Sequence, residues 1–177
     1  MKSPPSRKLF TYRNARRGAR RAPERSDIEP GAIRDILGDS FIIGFDVEAG
    51  HPFRLAGTRV CTLFGRELRG EPFMRLWDEA SRELVGALVP TVADEAVAVV
   101  AGVAARTTEG SHADLKLLLP PPLYHRGRTH GRLLGVLAPI SAHGWLSAER
   151  VGALEIGARP RDARPRRGLT VYDGGRK

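Results

Sequence analysis

A single cysteine, Cys61, in 177 residues leaves no disulfide framework and no Cys-based zinc site. Aromatics make up only 6% of the chain, so its core must be aliphatic, built from Leu, Val, Ile and Ala. The longest apolar run, 96–105, is about half of what a membrane span needs. Lys2, Arg7 and Lys8 are not followed by an apolar stretch of signal-peptide length. These absences predict a soluble, cytoplasmic protein. Gly-x-x-x-x-Gly-Lys and Gly-x-Ser-x-Gly are missing, as is any kinase, cyclase or phosphodiesterase motif, which argues against an enzyme. The carboxylate pairs Asp78-Glu79 and Asp94-Glu95 are adjacent in sequence and read as helix-terminal charge.

What the chain does have is positive charge, +9 in all, placed at its ends. Residues 1–25 carry nine Lys and Arg against Glu24 alone, and 158–177 carry seven against Asp162 and Asp173. The stretch 26–157 is mildly acidic, with thirteen Lys and Arg against seventeen Asp and Glu. Such ends predict a basic, mostly disordered arm over 1–25 and a C-terminal helix and basic tail over 146–177, around a folded domain at 26–145. They could bind nucleic acid or an anionic membrane. No helix-turn-helix is visible, and 25 Arg against 4 Lys suggests a compositional bias more than a phosphate-binding array. Arg16/Arg20 and Arg17/Arg21 fit an Arg-x-x-x-Arg pattern that any arginine tract produces by chance.

Within the domain, 31–37 predicts a short helix and 40–47 a strand, which Gly50-His51-Pro52 turns into a second strand at 52–56. Thr58 is a candidate N-cap for a short helix carrying Val60, Cys61, Leu63 and Phe64, with Gly65 at its left-handed end. Asp78 caps a longer helix that Pro90 should kink or end early. Alternating apolar residues then mark strands at 96–105, 115–119 and 132–140, and 145–157 is a candidate last helix. The order predicts an α+β fold: a five-stranded antiparallel sheet with the helices of 58–94 crossing one face. Phe53, Leu55, Leu63, Phe64, Trp77, Leu117 and Val136 are expected in its core.

The run Phe53-Arg54-Leu55-Ala56-Gly57-Thr58, followed by Leu63-Phe64-Gly65-Arg66-Glu67-Leu68-Arg69-Gly70, resembles the bacterial PAS-like family found mostly as short stand-alone proteins, the PAS_5 group. Arg25 to Pro30, Leu117-Leu118-Leu119-Pro120 and Gly135-Val136-Leu137 support the resemblance, which covers about residues 10–142. In residue terms the motif reads as a turn-and-cap device: Gly57, Gly65 and Gly70 permit tight turns. Arg54, Arg59, Arg66 and Arg69 are the alternative contacts for an anionic ligand or partner.

The resemblance implies a non-enzymatic sensory or adaptor protein of signal transduction, acting through a protein partner or homodimer. It implies a ligand site between the sheet and the crossing helices, where Cys61, Phe64, Phe73, Trp77, Val99 and Leu117 converge, suited to a small apolar ligand. Cys61 lacks the Asn, Arg and Gln neighbours of flavin photoreceptors and reads as a small buried hydrophobe, which argues against flavin. His51, His112, His125, His130 and His143 fall mostly in turns or loops, which argues against haem. His125 and His130, five apart across a Gly-containing loop, are not at metal-ligand spacing.

Overall fold

A computed structural model of the chain describes residues 3–20, 22–125, 128–140, 149–156 and 169–172. Three α-helices, α1 (Pro4–Arg17), α2 (Thr58–Phe64) and α3 (Glu79–Asp94), join three 3-10 helices, η1 (Arg25–Asp27), η2 (Pro30–Asp39) and η3 (Phe73–Leu76). The strands are β1 (Ser40–Gly44), β2 (Phe53–Ala56), β3 (Ala98–Thr107), β4 (His112–Leu119), β5 (Leu123–His125), β6 (Arg128–Pro139), β7 (Val151–Ile156) and β8 (Leu169–Tyr172). All pair antiparallel in the order β2-β1-β6-β4-β3-β7, with β5 on β6 and β8 on β3. The predicted α+β class and antiparallel sheet are therefore present, with eight strands among the described residues in place of five.

Both faces of this sheet are covered. Alternate residues of β1, β3, β4 and β6 enter one of two cores, as the strand period of two requires. Phe41, Val99, Leu117 and Leu137 join α2, η3 and α3 on the inner face. Ile42, Val100, Leu118 and Val136 join Leu9 of α1 and Ile33 and Ile36 of η2 on the outer face. Val136 is buried as expected, but in this second layer. The expectation of helices on one face only is corrected by that layer.

Its source is the segment read as a disordered arm. Pro4 and Pro5 start α1, where their fixed φ fits and a missing N–H costs nothing. Ser6, Leu9 and Arg13 form its buried stripe. Three ion pairs then clasp the segment to carboxylates between residues 27 and 35: Lys8–Asp35 at 2.5 Å, Arg16–Glu29 at 3.1 Å and Arg20–Asp27 at 2.6 Å. One leucine among arginines is too faint a periodic signal to show this from sequence.

Two other expectations change. The candidate helix at 145–157 contains strand β7, because the open edge of β3 needs a backbone partner and Val151 and Leu154 are buried beside it. In the tail, Leu169–Tyr172 pairs with the other half of that same edge. α3 does not end at Pro90 but runs on to Asp94. Its cap is as predicted: Asp78 accepts the Ser81 N–H at 2.8 Å. The Asp78 and Ile156 amides, bonded to the Leu154 carbonyl and the Ser81 hydroxyl, tie this end of α3 to β7.

Candidate functional site

The glycine-rich motif is built around an extra residue. β1 pairs Phe41 with Ala56, Ile42 with Leu55 and Ile43 with Phe53, so Arg54 has no partner and bulges. In a regular strand Phe53 and Leu55 would share a face. The bulge sends Phe53 into the inner core and turns Leu55 outward, where it is 48% exposed. Leu55 is thus not the core residue that alternation predicts.

Gly57 follows, and its backbone stands so close to η2 that a β-carbon would lie 2.1 Å from the Leu37 carbonyl oxygen. Gly57, not Thr58, is the N-cap of α2; Thr58 is its first helical residue. Gly65 ends the helix in the left-handed region at φ 64°, as expected. Beyond it Arg66 pairs with Glu71 at 2.9 and 3.0 Å, not with Glu67. Glu67 accepts the Leu68 and Arg69 N–H groups at 3.1 Å, and Leu68 is fully buried. The Gly70 N–H donates to the Phe53 carbonyl at 2.8 Å, closing the segment against β2. Arg59 forks onto Asp39 at 2.8 Å through both Nε and Nη2. The motif arginines Arg59 and Arg66 are therefore committed to internal pairs, while Arg54 is exposed across Gly44.

On the inner face Phe64, Phe73, Trp77, Val99 and Leu117 are all buried, with half-buried Cys61 packed against them. The structure brings these six sequence-predicted residues into one cluster. Phe73 stacks on Phe41 with centroids 5.5 Å apart and meets Trp77 edge-on at 5.7 Å. The Trp77 indole N–H is buried with no partner among the described residues. Burial, then Glu67, pushes the Cys61 thiol up, so it is protonated at neutral pH.

The outer face holds a cavity of about 630 Å³ between the cap formed by η1 and η2 and strands β1, β2, β5 and β6. Ile33 and Leu37 form its roof, Ile42, Leu123 and Leu134 its floor, and Leu55 its rim. None of the six inner-face residues lines it. Sequence reasoning missed this site, although the outer-face residues Leu134, Val136 and Ala138 were a visible alternating set.

Two buried polar groups were also missed. Arg13 is 1% exposed and donates to the Pro121 carbonyl at 2.6 Å, while its Nε finds no partner among the described residues. Loss of solvent, then Arg17, lowers its pKa to about 9, so it stays charged at neutral pH. His51 is buried in the β1–β2 turn at φ 58°, with Nδ1 accepting the Asp46 N–H at 3.3 Å. Of the other histidines, His112 opens β4 and His125 closes β5, His130 lies within β6, and His143 falls outside the described residues. No group of three or more potential metal ligands occurs among the described residues, and no helix there is long and apolar enough to cross a membrane.

Solved structures with a similar fold include a light-oxygen-voltage domain studied with a flavin analogue, 15% identical over 67% of this chain and 87% of that one, with a TM-score of 0.49. The light-oxygen-voltage protein of Rhodobacter sphaeroides is 14% identical over 66% and 71%, TM-score 0.46. The PAS domain of a protein from Colwellia psychrerythraea is 16% identical over 63% and 97%, TM-score 0.44. No curated protein matches. The family model described as PAS domain matches residues 1–138, taking in α1, the cap, the motif and the sheet through β6. With that match over most of its length, this chain belongs to the PAS domain family.

Proposed function

We propose that the chain is a non-enzymatic sensory or adaptor module of signal transduction, in which occupancy of the outer-face cavity changes the seating of the N-terminal cap and a protein partner or second copy reads that change. PAS domains are in general sensory modules. The observation that carries the proposal is the cavity itself. Its volume suits a small molecule, and its two walls belong to parts of the chain that can separate without opening the inner core. Ile33 and Leu37 of the roof lie on the 3-10 helix that Lys8 ties to α1 through Asp35, so roof and helix move together. The folded unit then begins at α1, and the cytoplasm is its proposed compartment.

A second reading places the ligand on the inner face, among Cys61, Phe64, Phe73, Trp77, Val99 and Leu117. The unpartnered Trp77 N–H favours it, as a polar handle in an apolar site. A flavin fits this face poorly, because its polar ring edge needs several partners and these neighbours are Phe, Val and Leu. The basic-end alternative, nucleic acid or anionic lipid, loses strength because Lys8, Arg16 and Arg20 are paired within the fold and Arg13 is buried.

Native mass spectrometry of freshly purified protein, with its visible spectrum, tests the reading. A retained uncoloured small molecule, whose removal increases hydrogen exchange in α1 and η2, is the expected result. A coloured cofactor, or a ligand that protects only α2 and α3, would transfer the site to the inner face.

A further inference from the structure

Among the described residues lining the outer-face cavity, Arg25 is the one that carries a charge. The rest are apolar or small, apart from the hydroxyls of Ser26, Ser40 and Thr58. Arg25 is exposed, and among the described residues its guanidinium has no ion-pair or hydrogen-bond partner. This sets it apart from its neighbours. The nearby carboxylates are engaged elsewhere: Asp27 accepts from Arg20 and the Glu24 amide, and Glu29 pairs with Arg16. An apolar trough with one uncommitted cation at its rim is complementary to an amphipathic anion.

We infer that this cavity binds an amphipathic monocarboxylate. Its aliphatic body would lie between Ile33 and Leu37 above and Ile42 and Leu134 below, and its carboxylate would meet the Arg25 guanidinium. The planar fork of arginine matches a carboxylate through two parallel hydrogen bonds, and the Ser26 hydroxyl beside it offers another donor. The cavity, about 630 Å³, accommodates a medium-length alkyl chain, within the range usual for small-molecule sites. The inference rests on the outer-face reading above and adds the ligand's class and its anchor.

The test titrates the full chain by calorimetry with three probes of equal chain length, kept below micelle-forming concentrations: decanoate, decan-1-ol and decylammonium. Decanoate should bind at least about tenfold more tightly than decanol, and decylammonium more weakly still. Arg25→Gln, a change at an exposed position, should bring decanoate to the level of decanol and leave decanol unchanged. Leu55→Glu, also exposed, places a like charge at the rim and should weaken decanoate selectively. Equal binding of decanoate and decanol, or indifference to Arg25→Gln, overturns the carboxylate assignment while leaving the cavity as a ligand site. Failure of all three probes to bind overturns both.

Discussion

Gly57 and Leu37 meet backbone to backbone: a β-carbon on Gly57 would lie 2.1 Å from the Leu37 carbonyl oxygen and 2.4 Å from that of Gly38. Neither obstacle is a side chain that can turn away, so Gly57→Ala must push η2 off the start of α2. A destabilisation on the order of 3 kcal/mol is expected, read from denaturant midpoints. Gly70→Ala is the comparison, since nothing lies within 4 Å of the added carbon and only its φ of 86° opposes it. That change should cost about 1 kcal/mol.

The two cores should fail separately. Leu9 is fully buried on the outer face, and Leu9→Asp places an unpaired charge there, so α1 should detach. Trypsin should then cut between Arg7 and Arg25 while the inner core stays resistant. Leu117→Asp, on the inner face, should unfold the whole domain. Leu55→Asp should fold normally, because the bulge leaves Leu55 at the surface. Thermal melting with limited proteolysis distinguishes these three outcomes.

The clasp on α1 should be acid-sensitive. Asp27 is held below its usual 3.8 by the Glu24 N–H and then Arg20, and Asp35 by Lys8. A carboxylate with a lowered folded-state pKa contributes stability above its unfolded value, and loses it as pH falls through the folded one. Docking of α1 should therefore be intact at neutral pH and weaken below about pH 4. Amide chemical shifts of α1, followed against pH, would show it. High salt should loosen the same contacts, since all three pairs are largely exposed.

His51 should give a second, separate pH response. Burial pushes its imidazole below the ordinary 6.5. For a base with a lowered folded-state pKa, stability is full above the unfolded value and declines as pH falls from there toward the folded one. Denaturant midpoints should thus drop as pH falls below about 6.5. His51→Asn should flatten that slope, because asparagine tolerates the positive φ and can accept the Asp46 N–H. An unchanged slope would mean that another group titrates there.

Much of the inner half of the molecule was legible in the sequence. Phe53, Phe64, Trp77 and Leu117 are large apolar residues in strong periodic settings, and Gly65 and Asp78 are unambiguous helix-end residues. The outer half was not. α1 presents one buried leucine among arginines, and its docking depends on ion pairs whose partners lie 7 to 27 residues away. β7 and β8 are short, and they become strands because β3 offers an unpaired edge. Leu55 was misplaced because a bulge leaves no trace in apolar alternation. The cavity required both the cap and the sheet to be in place before it existed.

The bulge at Arg54 lets Phe53 and Leu55, two residues apart, serve opposite faces of the sheet. Removing Arg54 would leave Phe53 opposite Ile43 and Leu55 opposite Ile42, so β2 would alternate regularly with Leu55 still turned to the cavity rim. The rim is thus fixed by the register of β2 against β1, and the extra residue adds local twist and the exposed Arg54 side chain. Loss of one residue there is a change the cavity wall can absorb, whereas a one-residue slip of β2 against β1 would take Leu55 from the rim.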